Sequence, residues 1–299
     1  MQRQTDIELQ QKAARLKLSF IRDHLPELLD AAEQTKMTPR EQLDFLFTKE
    51  IEQRNANRYK QGLMAAHFPA VKTLESFDFS KQPGINPGVI RELKKLEWIG
   101  AGENVTLFGP PGVGKTHLAI AFGRLAVDHG YSVRFYSAAN LLGQLEKAAR
   151  EDTLEAKLKE LAKPQLLIID EIGYLPYTPE AARLFFLVVS KRYEKKSVLT
   201  TSNRPPSEWG LIFADSTTAG AILDRLLHHC TAMTILGESY RLLEQKRAGM
   251  KFKQINRGEP TLKNLNSPVH VRRTVESVPG GVIAAPIPAM PYRDRGTPF

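Results

Sequence analysis

The 299-residue sequence predicts an α/β fold, a parallel five-stranded sheet preceded by a small all-helical N-terminal domain, and three features carry that expectation. From residue 99 to 249, short apolar runs alternate with amphipathic stretches of helical length, the pattern of strand–helix units in a parallel sheet. The first of these runs, Val105-Thr106-Leu107-Phe108, leads into Gly109-Pro110-Pro111-Gly112-Val113-Gly114-Lys115-Thr116, which fits G-x-x-x-x-G-K-[ST] at every fixed position. Residues 1–66, in contrast, carry only helical apolar spacing.

In that N-terminal stretch Leu16, Leu18, Ile21, Leu25, Leu28 and Leu29 recur at helical intervals, and Pro26 predicts a break between two short helices. Thr38-Pro39-Arg40-Glu41 is a capping box with proline at the first helical position. The helix it opens is expected to carry Leu43, Leu46, Phe47 and Ile51 on one side, and Arg54, Arg58 and Lys60 further on. His67-Phe68-Pro69 ends it, residues 73–85 read as an irregular connector, and Asn86-Pro87 caps a short helix through Trp98. Strands are then expected at 105–108, 132–136, 166–169, 197–201 and 232–235. Helices are expected near 115–129, 138–149, 153–162, 179–193 and 217–228. Residues 250–299 hold seven prolines and almost no periodicity, which predicts a disordered tail. The domain boundaries follow as 1–68, 69–98 (connector and linker helix), 99–249 and 250–299.

Charge and cysteine usage narrow the function classes. The net charge is +9; residues 1–80 carry 12 basic and 12 acidic side chains, so the surplus lies in the sheet region and the tail, and it favours a polyanionic partner. The lone Cys230 excludes an internal disulfide framework and suits a reducing, cytoplasmic location. The first twenty residues lack an apolar signal core, and the apolar run from Leu184 to Val189 is too short to cross a bilayer.

The glycine-rich loop fixes the chemistry. Glycines let successive N–H groups surround a phosphate, and the positive end of the following helix adds to the attraction. Gly109, Pro110, Pro111, Gly112, Val113 and Gly114 form that cradle, Lys115 meets the β- and γ-phosphates, and the Thr116 hydroxyl is placed for Mg²⁺. The expected ligands are therefore a nucleoside triphosphate and Mg²⁺. The apolar strand Leu166-Leu167-Ile168-Ile169 ends in Asp170 and Glu171, of which the first suits the metal and the second a water-activating role. Asn203 follows the next strand, where an amide can hold the attacking water or the γ-phosphate. Arg225, on an otherwise apolar helix, suits an arginine finger reaching a neighbouring subunit's nucleotide, and Arg241 is a weaker candidate for a γ-phosphate contact. His228-His229-Cys230 reads as structural, because neighbours on a helix diverge by about 100° and no second Cys/His cluster appears. Lys191 to Lys196 reads as a solvated helix end, with a DNA-phosphate patch as the sharper alternative.

Four of these segments together carry a resemblance: Gly109 to Ala119, Asp170-Glu-Ile-Gly-Tyr-Leu-Pro176, Val198 to Asn203 and Leu223-Asp-Arg-Leu-Leu227. With Ala66-His67-Phe68-Pro69 and Phe77-Asp78-Phe79 they resemble the IstB-like ATPases of insertion sequences, relatives of DnaC helicase loaders within the AAA+ class, from about residue 10 to Gly249. The resemblance implies an AAA+ P-loop ATPase that forms a homo-oligomer on double-stranded DNA and recruits and stimulates a cognate IstA-like transposase. ATP hydrolysis would then drive disassembly. It implies that Asp170 and Glu171 are the Walker B pair, Asn203 sensor I, Arg225 the arginine finger and Arg241 a sensor II position. A DnaC-like replicative helicase loader is the alternative, in which the helical N-terminus grips a helicase. A P-loop small-molecule kinase would leave Arg225 and that N-terminus unexplained, and a non-hydrolysing scaffold would leave Glu171 without a role.

Overall fold

The computed structural model describes residues 2–174, 176–213 and 216–240; Arg241 and the predicted tail at 250–299 lie outside them. Three helices come first: α1 (Gln2–Arg15), α2 (Ser19–Gln34) and α3 (Pro39–Ala66). Ala13, Ile21, Leu25 and Leu28 form their buried cluster, with Phe45 and Leu46 of α3 packed against it. The break expected at Pro26 is present: two helical segments of α2 meet across a kink at His24 (φ −123°, ψ 21°), two residues before the proline, whose missing N–H and ring crowding disfavour an unbroken helix.

Leu18, before α2, offers no side-chain cap. Glu50 of α3 takes over, accepting the Phe20 and Ile21 N–H groups at 2.9 and 3.0 Å and the Arg54 Nε at 2.8 Å. Arg54 also donates to the Lys17 carbonyl. Burial alone would raise the Glu50 carboxyl, but these donors hold it below its ordinary value. Turning Leu46 and Glu50 inward turns another face of α3 outward. Leu43, Phe47 and Ile51, expected on one side of the helix with Leu46, are 56, 50 and 57% exposed.

The capping box forms as expected, with Glu41 accepting from the Thr38 N–H and hydroxyl at 2.7 and 2.8 Å. At 28 residues α3 is about 42 Å long, enough to reach the sheet domain. Its Tyr59 and Leu63 pack against that domain's core, and Arg134 binds the Ala65 carbonyl at 2.5 Å. The connector then contains a 3₁₀ turn at Phe79–Lys81. Asn86 caps α4 (Pro87–Lys94) by accepting the Gly88 N–H at 2.8 Å. The single helix expected through Trp98 breaks at Leu96 (φ 60°), and α5 (Glu97–Ala101) starts anew.

The remaining elements are β1 (Asn104–Phe108), α6 (Lys115–Asp128), β2 (Val133–Ser137), α7 (Ala138–Arg150), α8 (Leu154–Ala162), β3 (Leu166–Ile172), α9 (Pro179–Arg192), β4 (Ser197–Ser202), α10 (Trp209–Ile212), α11 (Ser216–Leu227) and β5 (Cys230–Thr234). Every predicted strand and helix of this region is present within a few residues; α10 is the addition. The strands are all parallel in the order β2-β3-β4-β1-β5. Alternate residues feed two apolar layers. Leu166 and Ile168 join the layer of α6, while Leu167 and Ile169 join that of α7, α8, α9 and α11. Both faces being covered, β3 reads as an unbroken apolar run. Each of those four side chains is fully buried and contributes about 1.5–3 kcal/mol. The C-terminal ends of β1, β3 and β4 thereby meet at one edge, the place where open parallel sheets bind ligands.

Candidate functional site

Between β1 and α6 the loop 109–114 turns back on itself through positive φ at Gly109 (142°), Gly112 (85°) and Gly114 (98°). Gly114 precedes the first turn of α6, and a Cβ there would stand 2.6 Å from Phe77 Cε2; at Gly109 it would collide with the Ile235 carbonyl oxygen. The loop thus needs glycine for both backbone sign and space. Val113 anchors it in the core. The Lys115 Nζ donates to the carbonyls of Gly109 and Pro110 at 2.7 and 2.8 Å, so its ammonium lies over the loop mouth.

Thr116 opens α6 and donates its hydroxyl to both Asp170 oxygens at 3.0 Å. Thr201 of β4 donates to Asp170 Oδ1 at 2.6 Å and accepts the Glu171 N–H at 2.9 Å. Sequence reasoning passed over Thr201; only the pairing of β3 with β4 reveals it. The register there slips: Ile169 faces Thr200 and Ile172 faces Ser202, so Asp170 and Glu171 share the single residue between. Glu171 takes up the extra residue with φ 62°, a costly conformation for a non-glycine residue. A regular strand would send consecutive side chains to opposite faces. The bulge instead lets both carboxylates line one cavity beside the sheet edge, with Asp170 buried and Glu171 exposed. Burial pushes the Asp170 carboxyl up, partly opposed by the Thr201 and Thr116 hydroxyls. This donor set, one hydroxyl and one carboxylate of hard oxygen whose hydrogen bonds come from neutral hydroxyls, fits a divalent cation such as Mg²⁺.

Lys115, Thr116, Glu171, Thr201 and Asn203 line a neighbouring cavity of about 580 Å³. The connector and the end of the described chain close its other wall. His117 Nε2 lies 2.9 Å from the Thr73 carbonyl and 3.2 Å from Ser76 Oγ, and its ring meets Phe77 edge-on at 5.2 Å. Tyr240 donates its N–H to the Gly112 carbonyl at 3.0 Å and its hydroxyl to the Asp78 carbonyl, with its ring 5.9 Å from Phe77 and the Lys81 Nζ 5.2 Å above it. Sequence reasoning gave Phe77 and Tyr240 no place in the site, because both reach the loop from distant segments; His117, next to Thr116 on α6, turns toward the connector.

Arg225 does not join this group. Its helix ends beside the start of β1, where Asn104 Nδ2 donates to the Leu226 carbonyl at 3.1 Å. The phosphate loop leaves the other end of β1, about 13 Å away by strand rise. Arg225 lies over the Phe186 ring at 4.7 Å and the Tyr193 ring at 6.0 Å and donates to the Ala221 carbonyl at 3.0 Å. Arg192 overturns part of the basic-patch alternative. It is buried and donates to the Leu161, Pro164, Gln165 and Ser197 carbonyls at 2.7–3.3 Å, so it is a structural clamp. His228 and His229 also differ from expectation: α11 stops at Leu227, and the two lie in the following turn with ring centroids 4.1 Å apart.

The family model for the IstB-like ATP binding protein matches residues 11–248. A protein described as ATP-binding in insertion sequence IS21 of Pseudomonas aeruginosa is 47% identical over 246 residues, covering 82% of this chain and 93% of that protein. Its counterpart in IS5376 of Geobacillus stearothermophilus is 40% identical over 232 residues, 78% and 92% of the two chains. Among solved structures, DnaA from Aquifex aeolicus bound to AMPPCP superposes with TM-score 0.46 at 22% identity, covering 63% of this chain and 59% of that one. The DnaC helicase loader gives 0.43 at 22%, covering 55% and 96%. The chain belongs to the IstB-like ATP-binding family, and no helix among its described residues is long and apolar enough to cross a membrane.

Proposed function

We propose that this IstB-like protein is an ATP-hydrolysing helper of transposition, which assembles on duplex DNA with ATP, engages a cognate transposase and lets go when ATP is hydrolysed. The observation that carries hydrolysis is the bulge at Asp170 and Glu171: a strained backbone sets an exposed carboxylate beside a buried one at the mouth of the phosphate loop. On triphosphate binding Lys115 exchanges the Gly109 and Pro110 carbonyls for β- and γ-phosphate oxygens. Thr116 and Asp170 would hold Mg²⁺, which supplies charge neutralisation between those phosphates. Glu171 polarises a water for attack on the γ-phosphorus, Asn203 orients that water, and the bond to the β-phosphate oxygen breaks to give ADP, inorganic phosphate and a proton. Phe77 and Tyr240 give the base an aromatic wall.

Arg225 lies too far from its own loop to serve it, which favours service in trans: the guanidinium of one protomer meets the γ-phosphate of the next, so nucleotide state controls association. Assembly aligns many weak basic contacts along the DNA backbone, with the N-terminal helices and the basic segment at 250–299 as further contacts to DNA or transposase. Affinity would be largely sequence-independent and fall steeply with salt. Membership in an insertion-sequence family favours a transposase over a helicase as partner.

The test is retention of duplex DNA with ATP against ADP. Binding that needs ATP, and is lost in Lys115→Ala, is expected; equal binding with either nucleotide, or undiminished ATP-dependent binding by the variant, would contradict the scheme.

A further inference from the structure

Away from the nucleotide, at the opposite end of the sheet, three side chains converge that the mechanism does not use. α9 ends at Arg192, and the turn after it holds Glu194 with φ 55°, outside the usual range for a non-glycine residue. The turn between α11 and β5 holds His228 and His229. Glu194 Oε1 lies 3.8 Å from His228 Nδ1 and 3.7 Å from His229 Nε2, and one ligand atom from each residue falls within 4.8 Å of the other two. A sequence reading that kept the histidines on a helix would set them about 100° apart. The turn removes that divergence, and the third group comes from 34 residues upstream, where no local spacing announces it.

We propose that Glu194, His228 and His229 form a binding site for a borderline transition-metal cation, with Zn²⁺ as the expected occupant. Two imidazoles and one carboxylate are the donor set of open three-ligand zinc sites, with further positions left to water. In a tetrahedral shell with bonds of about 2.0–2.2 Å, donor atoms stand roughly 3.5 Å apart. The two Glu194–His pairs are within a few tenths of an ångström of that spacing, and rotations of the exposed side chains bring in the third pair, which lies within 4.8 Å. Imidazole selects Zn²⁺, Ni²⁺ or Cu²⁺ over Mg²⁺, which prefers oxygen, so this site and the Thr116–Asp170 pair take different cations. The Tyr193 hydroxyl bonds His228 Nδ1 at 2.8 Å; on ligation that bond gives way to the metal and the phenol becomes an outer neighbour. Cys230 turns inward, its Sγ 3.4 Å from Thr106 Oγ1, and takes no part.

Occupancy would tie the ends of α9 and α11 together. Those helices carry Phe186 and Arg225, and Tyr193 directly follows α9, so the metal would stiffen the aromatic seat of the arginine.

The experiment is equilibrium titration of the full chain with Zn²⁺ and with Co²⁺, in buffer containing millimolar Mg²⁺. One equivalent of Zn²⁺ should bind despite the Mg²⁺, and Co²⁺ should give the intense visible bands of low-coordinate Co²⁺. Glu194→Gln and His229→Ala should each weaken binding at least about tenfold, with far-ultraviolet circular dichroism unchanged. Cys230→Ser should bind as the parent does. Absence of stoichiometric binding by the parent, or parent-like affinity in both folded ligand variants, overturns the assignment. These readouts need no ATPase activity, so they stand or fall apart from the proposed function.

Discussion

The two ends of the sheet spend their polar groups differently. At the C-terminal end, the phosphate loop and the β3 bulge hold residues at positive φ, an exposed Glu171, and a buried Asp170 served by neutral hydroxyls. At the N-terminal end, Asn104, Arg192 and Ser197 are just as buried, yet each is bonded to neighbouring backbone groups in a regular frame. Donors and acceptors turned toward open space mark the chemical end; side chains bonded to buried backbone groups mark the scaffold. Arg225 and Arg192 show the contrast in one residue type. The first rests on aromatic faces at the surface, while the second is consumed by four carbonyls.

Arg225→Ala should give the largest effect, a loss of turnover on the order of 10³–10⁵-fold in steady-state phosphate release, with ATP binding to single protomers retained. A change below tenfold would return Arg225 to the scaffold. Glu171→Gln should slow hydrolysis by about 10²–10⁴-fold while prolonging the ATP-bound DNA complex; rapid DNA release by this variant would remove the bulge from the mechanism. Arg192→Leu should act on stability instead. Leaving buried carbonyls without their donor should cost about 3 kcal/mol in chemical denaturation, with turnover per folded molecule unchanged. A selective loss of turnover or of DNA binding would contradict its purely structural place.

The smallest effect concerns Asp170. Its folded carboxyl titrates above its unfolded one, so over the window between them the native state holds more protons and stability falls as pH rises. Without nucleotide or divalent cation, Asp170→Asn should therefore melt at or above the parent temperature at neutral pH. The difference should shrink as pH falls toward the ordinary aspartate value of about 3.9. A variant markedly less stable at neutral pH would mean that the ionised carboxylate stabilises the fold.

Much of this was legible in the sequence because it is local. Gly109 to Thr116 declares itself by fixed spacing, and the apolar run before Asp170 and Glu171 announces a doubly covered strand. What stayed hidden depends on long-range geometry. The bulge exists only through the register of β3 on β4, so Thr201 could not be named. Phe77 and Tyr240 reach the loop from residues 163 apart. On α3 the packed stripe is offset from the apolar one because Glu50, a charged residue, turns inward to cap α2, leaving Leu43, Phe47 and Ile51 on the adjoining exposed side. Arg192 looked like part of a basic run until its four carbonyl partners came from two other segments.

Service in trans is tested most directly by mixing Arg225→Ala with Lys115→Ala protomers. Each homogeneous preparation should be nearly inactive, the first lacking the guanidinium and the second the triphosphate. Mixed assemblies should regain ATPase activity where an intact Arg225 faces an intact loop. No recovery in assemblies shown to contain both variants would contradict an arginine acting across protomers.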